Sequence, residues 1–522
     1  MVVSPPSFGV SGTIYRRPSS NLRFCIDHFL SREVSVSARS ALNPFRIGLT
    51  CLGLAGLPMA LPAASLLPDM GNSVDEVLSP TEEARLGEEV LHQLRAMNAL
   101  LDDPLLDRYL QSLGQRLVSQ STAAGDPFLF FAVRDSRINA FALPGGYVGV
   151  NTGLIIQTRN ESELAGVLAH EVSHVSQRHI ARRMADSRQA NILTGAAMVA
   201  AILAGAGAGN PQMVQGAVSA GMAATVQNAI SFTLQNEKEA DRIGMHLLAG
   251  AGFDPNGMPS FFELMAQQSR FYETAYSDFL RTHPLSTERI SEATDRARMV
   301  AAPKTRSAPS RAYLLMRARA RALTGDDLIA SQTAFRTEID RSQGTALEAA
   351  RYGLGLTLLR QGQHPAAVNE FTALVRDHPE IPEYRQALGE AQQANGQNDA
   401  VLATYRTALN LFPGDSVLSL GYARALLLQG KAQDAYTQLE ALSATPEVTG
   451  RRLRLLAQAA EELGRKGEAH VYLGEYLAFQ GQTREAITQM TYALQEPDLD
   501  DIERTRVENR RKALARRLRA QR

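Results

Sequence analysis

The chain of 522 residues has no tryptophan and only two cysteines, Cys25 and Cys51, both in the first tenth of its length. If that part is removed, the remainder has no disulfide to make, and cysteine usage cannot fix the compartment. It also lacks any excess of charge, with 54 Lys and Arg against 54 Asp and Glu. Neutrality gives no argument for nucleic acid, and no such partner is expected. A composition of 44% hydrophobic and 21% charged residues is that of a soluble globular protein, and the length is too great for a single core.

Charge is missing locally in two places. Ile47 to Leu61 is apolar, follows Arg39 and Arg46, and ends in Pro62-Ala63-Ala64-Ser65. This reads as a secretory segment with a cleavage site near Ala63 or Ala64, too short for a membrane span. The Ser-, Pro- and Arg-rich residues before it are too long for a usual leader, so translation is expected to start near Val34 or Val36, with 1–64 an extension plus signal peptide. From Gln189 to Asn236 there is again no charged residue. A helical lid over an active-site cleft is the preferred reading of that stretch. A membrane hairpin broken at Asn210-Pro211 is the alternative, which leaves peripheral membrane contact open.

What is present is Leu168-Ala169-His170-Glu171-Val172-Ser173-His174. Positions four apart share a helix face, so His170 and His174 can reach one zinc ion while Glu171 stands beside the water on it. Residues Ser162 to Met184 read as one amphipathic helix, capped at Asn160 or Ser162. A zinc of this kind needs a third protein ligand and an open fourth position. Glu237 is the candidate, with Asp241 one turn later placed to accept a hydrogen bond from the far ring nitrogen of His170 or His174. His179 falls off the shared face and is expected on the helix surface or behind a ligand. The chemistry implied is peptide hydrolysis with Glu171 as general base. An extended substrate would add to a strand edge at Asn139, Phe141 and Leu143 or at Tyr147 to Val150, with Pro144-Gly145-Gly146 as the turn between them.

These motifs, together with Thr282-His283-Pro284-Leu285-Ser286-Thr287-Glu288-Arg289-Ile290, Asp102 to Leu110 and Asn139 to Gly146, resemble the periplasmic zinc proteases of the BepA type. That group is related to the membrane protease HtpX and the yeast CAAX-processing protease. The resemblance covers about residues 75–300. It implies His170, His174 and Glu237 as ligands of one Zn(2+) per chain, Glu171 as base and Asp241 behind the ligands. It also implies that His283 can fill the fourth position and hold the enzyme latent. The clients implied are unfolded or stalled outer-membrane β-barrel proteins and the machinery that inserts them.

From about residue 310 the chain becomes Ala- and Leu-rich, and Gly362, Gly396, Gly430 and Gly464 recur every 34 residues, the tetratricopeptide period. Stacked helix pairs leave a concave groove suited to partner proteins, here the β-barrel assembly machinery or its clients. The expected fold class is mostly α (α+β): a zincin-like metalloprotease domain with a small sheet over 75–300, an α-helical solenoid over 310–495, and a basic tail over 496–522. Glu503 to Arg522 carries nine Lys or Arg and reads as a solvated end helix. Two rivals stand beside the protease reading: a chaperone or scaffold with a latent zinc site, and an integral membrane protease of the HtpX kind.

Overall fold

The computed structural model describes residues 78–186, 233–269, 277–300 and 310–520. The expected secretory segment and all but the end of the uncharged stretch lie outside these residues, as does the choice between lid and hairpin. Everything described belongs to one compact unit, Asp69–Arg522. Among the described residues no helix is long and apolar enough to cross a membrane.

The first helix, α1 (Pro80–Ala96), starts at a capping box in which Ser79 and Glu82 satisfy each other's free backbone N–H groups. Helix α2 (Pro104–Val118) begins from Asp103, whose carboxylate accepts from the Leu106 N–H. Three short strands follow: β1 (Leu129–Val133), β2 (Ala140–Leu143) and β3 (Tyr147–Asn151). Their order is β1-β3-β2, with β3 parallel to β1 and antiparallel to β2, so β2 is an edge. Gly145 and Gly146 make the β2–β3 turn at φ of 75° and 87°, a region closed to most side chains.

After α3 (Thr152–Gln157) comes α4 (Glu161–Ser176), capped by the Asn160 side chain on the Glu163 N–H. The single amphipathic helix expected from Ser162 to Met184 is corrected here in two ways. Residues Glu163 to His174 are all buried, because α4 runs through the middle of its domain with neighbours on every side. The helix also stops at Ser176, and a second one, α5 (His179–Asp186), resumes beyond the left-handed Arg178 at φ 51°. The Arg178 guanidinium holds that turn by donating to the Leu78 carbonyl at 2.7 Å and to Glu83 at 3.2 Å. Among the described residues four further helices follow in this part: α6 (Leu234–Gly250), α7 (Gly257–Ser269), α8 (Ser277–Thr282) and α9 (Thr287–Met299).

Helix pairs then follow from Arg311–Thr324 to Asp501–Ala520. Gly362, Gly396, Gly430 and Gly464 each sit just past the first helix of a pair at φ between 70° and 75°. The 34-residue period is therefore the spacing of left-handed C-terminal caps. Inside the pairs, Gly355 and Gly389 lie so close to the rings of Phe371 and Tyr405 that a Cβ would fall 2.6 Å and 2.5 Å from them. The fold is thus a mostly helical chain with one small sheet, followed by a stack of helical repeats.

One buried apolar cluster runs without a break from Leu101 in the first part to Ala469 in the repeats. Polar ties cross the same boundary. Tyr313 donates to the Thr158 carbonyl at 2.6 Å, and Arg319 grips Asp103 through two nitrogens at 2.8 and 2.7 Å. Farther along, Arg95 donates to the Phe479 carbonyl, and Arg517 pairs with Glu88 on α1. The last helix is largely solvated, but it is anchored: Val507 and Leu514 are buried and Arg517 reaches Glu88 on α1.

Asp103 caps α2 and pairs with a guanidinium that is buried with it, so removing either partner strands a charge. Burial raises the Asp103 pKa, but Arg319 outweighs it and holds the carboxyl below its usual value. A depressed acid contributes stability above the unfolded pKa and loses it as pH falls through the folded one. Asp103→Asn is expected to destabilise the protein by about 3–5 kcal/mol at neutral pH. The difference in melting temperature from the parent should shrink below the ordinary carboxylate range. A pH-independent difference in thermal melts would contradict the pairing.

Candidate active site

Helix α4 carries His170, Glu171 and His174, and α6 crosses it carrying Glu237 and Asp241. The crossing is close because of Gly244: a Cβ there would lie 3.1 Å from the Ala169 carbonyl and the His170 nitrogen. The Glu237 carboxylate, two turns earlier on α6, then lies among the imidazoles of α4. His283 arrives from another direction, in the turn just after α8, with its N–H donating to the Phe279 carbonyl at 2.8 Å and its ring tilted on that phenyl.

The four side chains His170, His174, Glu237 and His283 are buried and offer ligand atoms that all lie within 4.8 Å of one another. His170 Nε2 is 3.0 Å from His174 Nε2 and 3.3 Å from His283 Nδ1. Glu237 lies 3.4 Å from both His170 and His174, and 3.1 Å from His283. A tetrahedral metal with bonds of about 2.0–2.1 Å sets its ligands about 3.4 Å apart, and the observed separations match that edge. Imidazole nitrogens facing one another at this distance share either a proton or a metal cation. The donor set, nitrogen and carboxylate oxygen with no solvent exposure, fits a divalent metal.

Glu171 is fully buried beside these groups, with His283 Nε2 at 3.4 Å. Neither carboxylate oxygen makes a hydrogen bond of normal geometry among the described residues. Burial raises its pKa, offset in part by His283 and His170. A carboxylate held this way is a better proton acceptor than an exposed one.

The ligand rings are oriented from behind. His170 Nδ1 stands 3.0 Å from Asp241 Oδ1, an approach bent away from a straight hydrogen bond. Burial opposes charge on His170, but Asp241 and Glu237 outweigh it and lift its pKa to about 10. Asp241 therefore serves His170 and not His174. His174 turns its own Nδ1 to His179 Nδ1 at 2.9 Å, and His179 Nε2 faces Glu239 at 3.2 Å, which also pairs with Arg182. The break at Arg178 turns His179 inward, so that of the two expected places, the helix surface or behind His174, it takes the second and is fully buried.

Three side chains escaped the sequence reading. Glu239 and Arg182 were indistinguishable from an ordinary charged helix face. Arg289 stood inside the motif around His283 but showed no sign of being buried. It is 1% exposed, lies over the Phe262 ring, and donates to Asp241 through Nε at 2.8 Å and Nη2 at 2.9 Å. Its Nη1 donates to the Pro284 carbonyl at 2.6 Å and stands 2.8 Å from Glu237 Oε2. One guanidinium thus ties the two acids of α6 to the turn that carries His283. Glu237 is held well below the usual carboxylate range: burial raises it, but His283, His170 and His174 prevail.

The expected substrate strand is placed differently in detail. Asn139 accepts from the Asn151 N–H at 3.0 Å, and alternation along an antiparallel pair makes Phe141 and Leu143 face β3 in the same way. Their side chains are also spoken for, packed with Leu86, Val90 and Leu91 of α1. The unpaired edge therefore belongs to the alternate residues, and of these Ala142 is half-buried, with its backbone N–H toward Glu171. The side-chain period of a strand was readable in advance, but which set of amides faces a neighbour was not.

Replacing Arg289 by Met leaves two buried acids without their cation and frees the His283 turn. Metal affinity is expected to fall by roughly 10–100-fold, with partial retention in Arg289→Lys. Competition against a chromogenic chelator measures it, and unchanged affinity in the Met variant would remove Arg289 from the site.

Comparison with known proteins agrees with this arrangement. Residues 104–297 match peptidase family M48, and residues 392–447 match a tetratricopeptide repeat. The putative beta-barrel assembly-enhancing protease of Vibrio cholerae is 35% identical over 445 residues, which are 85% of this chain and 91% of that protein. The beta-barrel assembly-enhancing protease of Escherichia coli K12 is 32% identical over 453 residues, 87% of this chain and 92% of that one. A more distant likeness, 31% over 182 residues, joins the chain to the mitochondrial metalloendopeptidase OMA1 of Schizosaccharomyces pombe, covering 35% of this chain and 50% of that one. With a buried His-Glu metal site on crossing helices, a repeat stack behind it, and relatives matched along nearly their whole length, the chain belongs to the beta-barrel assembly-enhancing proteases of peptidase family M48, a family of metalloproteases.

Proposed function

We propose that this metalloprotease is a zinc-dependent endopeptidase of the cell envelope, acting in the periplasm on outer-membrane β-barrel proteins during their assembly or on stalled intermediates. The observation that carries the proposal is the convergence of His170, His174, Glu237 and His283 within 4.8 Å, with Glu171 beside them. In this reading His170, His174 and Glu237 hold one zinc per chain, and His283 supplies a fourth, displaceable donor. Residues 75–300 form the catalytic part, 310–495 recruit clients or the assembly machinery, and 496–522 fasten the end of the repeats. The client class is suggested by the name of the relatives and by the pairing of a protease with peptide-binding repeats.

When bound, zinc would polarise the scissile carbonyl and lower the pKa of a water at the open position. Glu171, buried beside these side chains, would accept a proton from the attacking water and hand it to the leaving amine, a role its raised pKa suits. The free edge of β2 at Ala142 aligns an extended chain by backbone pairing, which gives affinity with little sequence preference. Asp241 and His179 keep the two ligand imidazoles in register. His283 must leave before water and substrate can share the site, so its turn acts as a shutter.

That shutter also supports a second reading, in which the protein works mainly as a chaperone or scaffold and cuts only on demand. Deleting the repeats and mutating Glu171 separate the two: a scaffold tolerates the second change in rescue of an assembly defect.

Glu171→Gln is expected to keep stoichiometric zinc while casein turnover falls by about 10²-fold or more. Metal analysis and a fluorescent casein assay read the two quantities, and retained turnover would exclude Glu171 as the base. His283→Ala should raise basal turnover, and an unchanged rate would mean that the histidine does not hold the site shut. Chelation should abolish cleavage, and zinc should restore it.

A further inference from the structure

Each of the two clustered imidazoles of α4 has a carboxylate behind it, but the carboxylates are reached differently. His170 Nδ1 meets Asp241 directly at 3.0 Å. His174 Nδ1 meets a second imidazole, His179 Nδ1, at 2.9 Å, and His179 Nε2 then meets Glu239 Oε2 at 3.2 Å. His174 and His179 are buried, whereas the Glu239 side chain is 28% exposed and stands at the surface end of the row. Arg182 Nη1 donates to that same Oε2 at 3.2 Å.

A row of imidazoles has a direction. Burial disfavours the charged form, and a neutral imidazole carries one N–H and one lone pair, so the bond made by one nitrogen fixes the state of the other. An ionised carboxylate only accepts. Glu239 therefore requires the His179 proton on Nε2, which leaves His179 Nδ1 a lone pair to accept from His174 Nδ1–H. That in turn leaves a lone pair on His174 Nε2, the atom that faces His170 Nε2 at 3.0 Å and Glu237 at 3.4 Å. A donor in place of Glu239 reverses the row. His179 Nε2 then accepts, its Nδ1–H donates to His174 Nδ1, and the proton left on His174 Nε2 blocks a metal.

We propose that Glu239 is a positioning residue for the metal, acting through His179 to select the tautomer in which His174 Nε2 can ligate. Arg182 completes the device, because a cation on the same oxygen keeps the atom that faces His179 an acceptor. A surface ion pair between Glu239 and Arg182 with no further role would contribute little to stability and would leave the metal indifferent to what stands at 239. The inference rests on the reading of His174 as a metal ligand and adds the residue that sets its proton.

The test uses the full chain with ¹⁵N-labelled histidine, stripped of metal, in which long-range ¹H–¹⁵N correlations identify the tautomer of each ring. Competition against a chromogenic chelator then gives the affinity for zinc. In the parent, His174 should carry its proton on Nδ1 and His179 on Nε2. Glu239→Gln should keep both tautomers and most of the affinity, since Arg182 turns the amide oxygen and not the nitrogen toward His179. Glu239→Lys, at a position open enough to take an ammonium, should move the His174 proton to Nε2 and lower zinc affinity by about 10–100-fold. Glu239→Leu, which supplies neither donor nor acceptor, should show mixed tautomers and an affinity between the two. An unchanged His174 tautomer in the Lys variant would overturn the proposal. So would equal losses of affinity in the Gln and Lys variants, the outcome of a purely structural ion pair. If the parent binds no zinc while its tautomers respond as stated, the directed row stands and the reading of His174 as a ligand falls instead.

Discussion

Three imidazoles and a carboxylate aimed at one point, sealed from water, repel or leave lone pairs facing one another unless a proton or a metal cation joins them. Much of the catalytic part can be understood as the apparatus that forces this arrangement. Gly244 lets α6 approach α4 to backbone contact, which brings Glu237 level with His170 and His174. Arg289 then balances Glu237 and Asp241 from below, because two buried acids without a counter-charge would protonate or swell apart.

That same guanidinium bonds the carbonyl of Pro284, one residue past His283. The His283 turn and α6 are therefore fastened by a single side chain.

The repeats do more than append a binding surface. Their core is continuous with that of the catalytic part, and ties at Thr158, Asp103, Phe479 and Glu88 fasten both ends of the stack. Desolvated pairs such as Arg319 with Asp103 make that contact specific, because a shifted register would strand both charges. The repeats are consequently held at a fixed place relative to the four clustered side chains.

The His170-Glu171-His174 spacing, the four-residue step from Glu237 to Asp241 and the 34-residue glycine period were all legible from order alone. Each reflects a local geometry, the helix face or the helix cap, that is written within a few residues. The helix break at Arg178, the inward turn of His179, the burial of Arg289 and the choice of Ala142 over Phe141 as the free edge were not. They depend on partners far apart in the chain, whose distances only the packed fold supplies. Sequence by itself determined which side chains could hold a metal and that helical pairs would follow. Tertiary structure alone decided which of them meet, because burial and charge balance are properties of the assembled core and not of any segment in it.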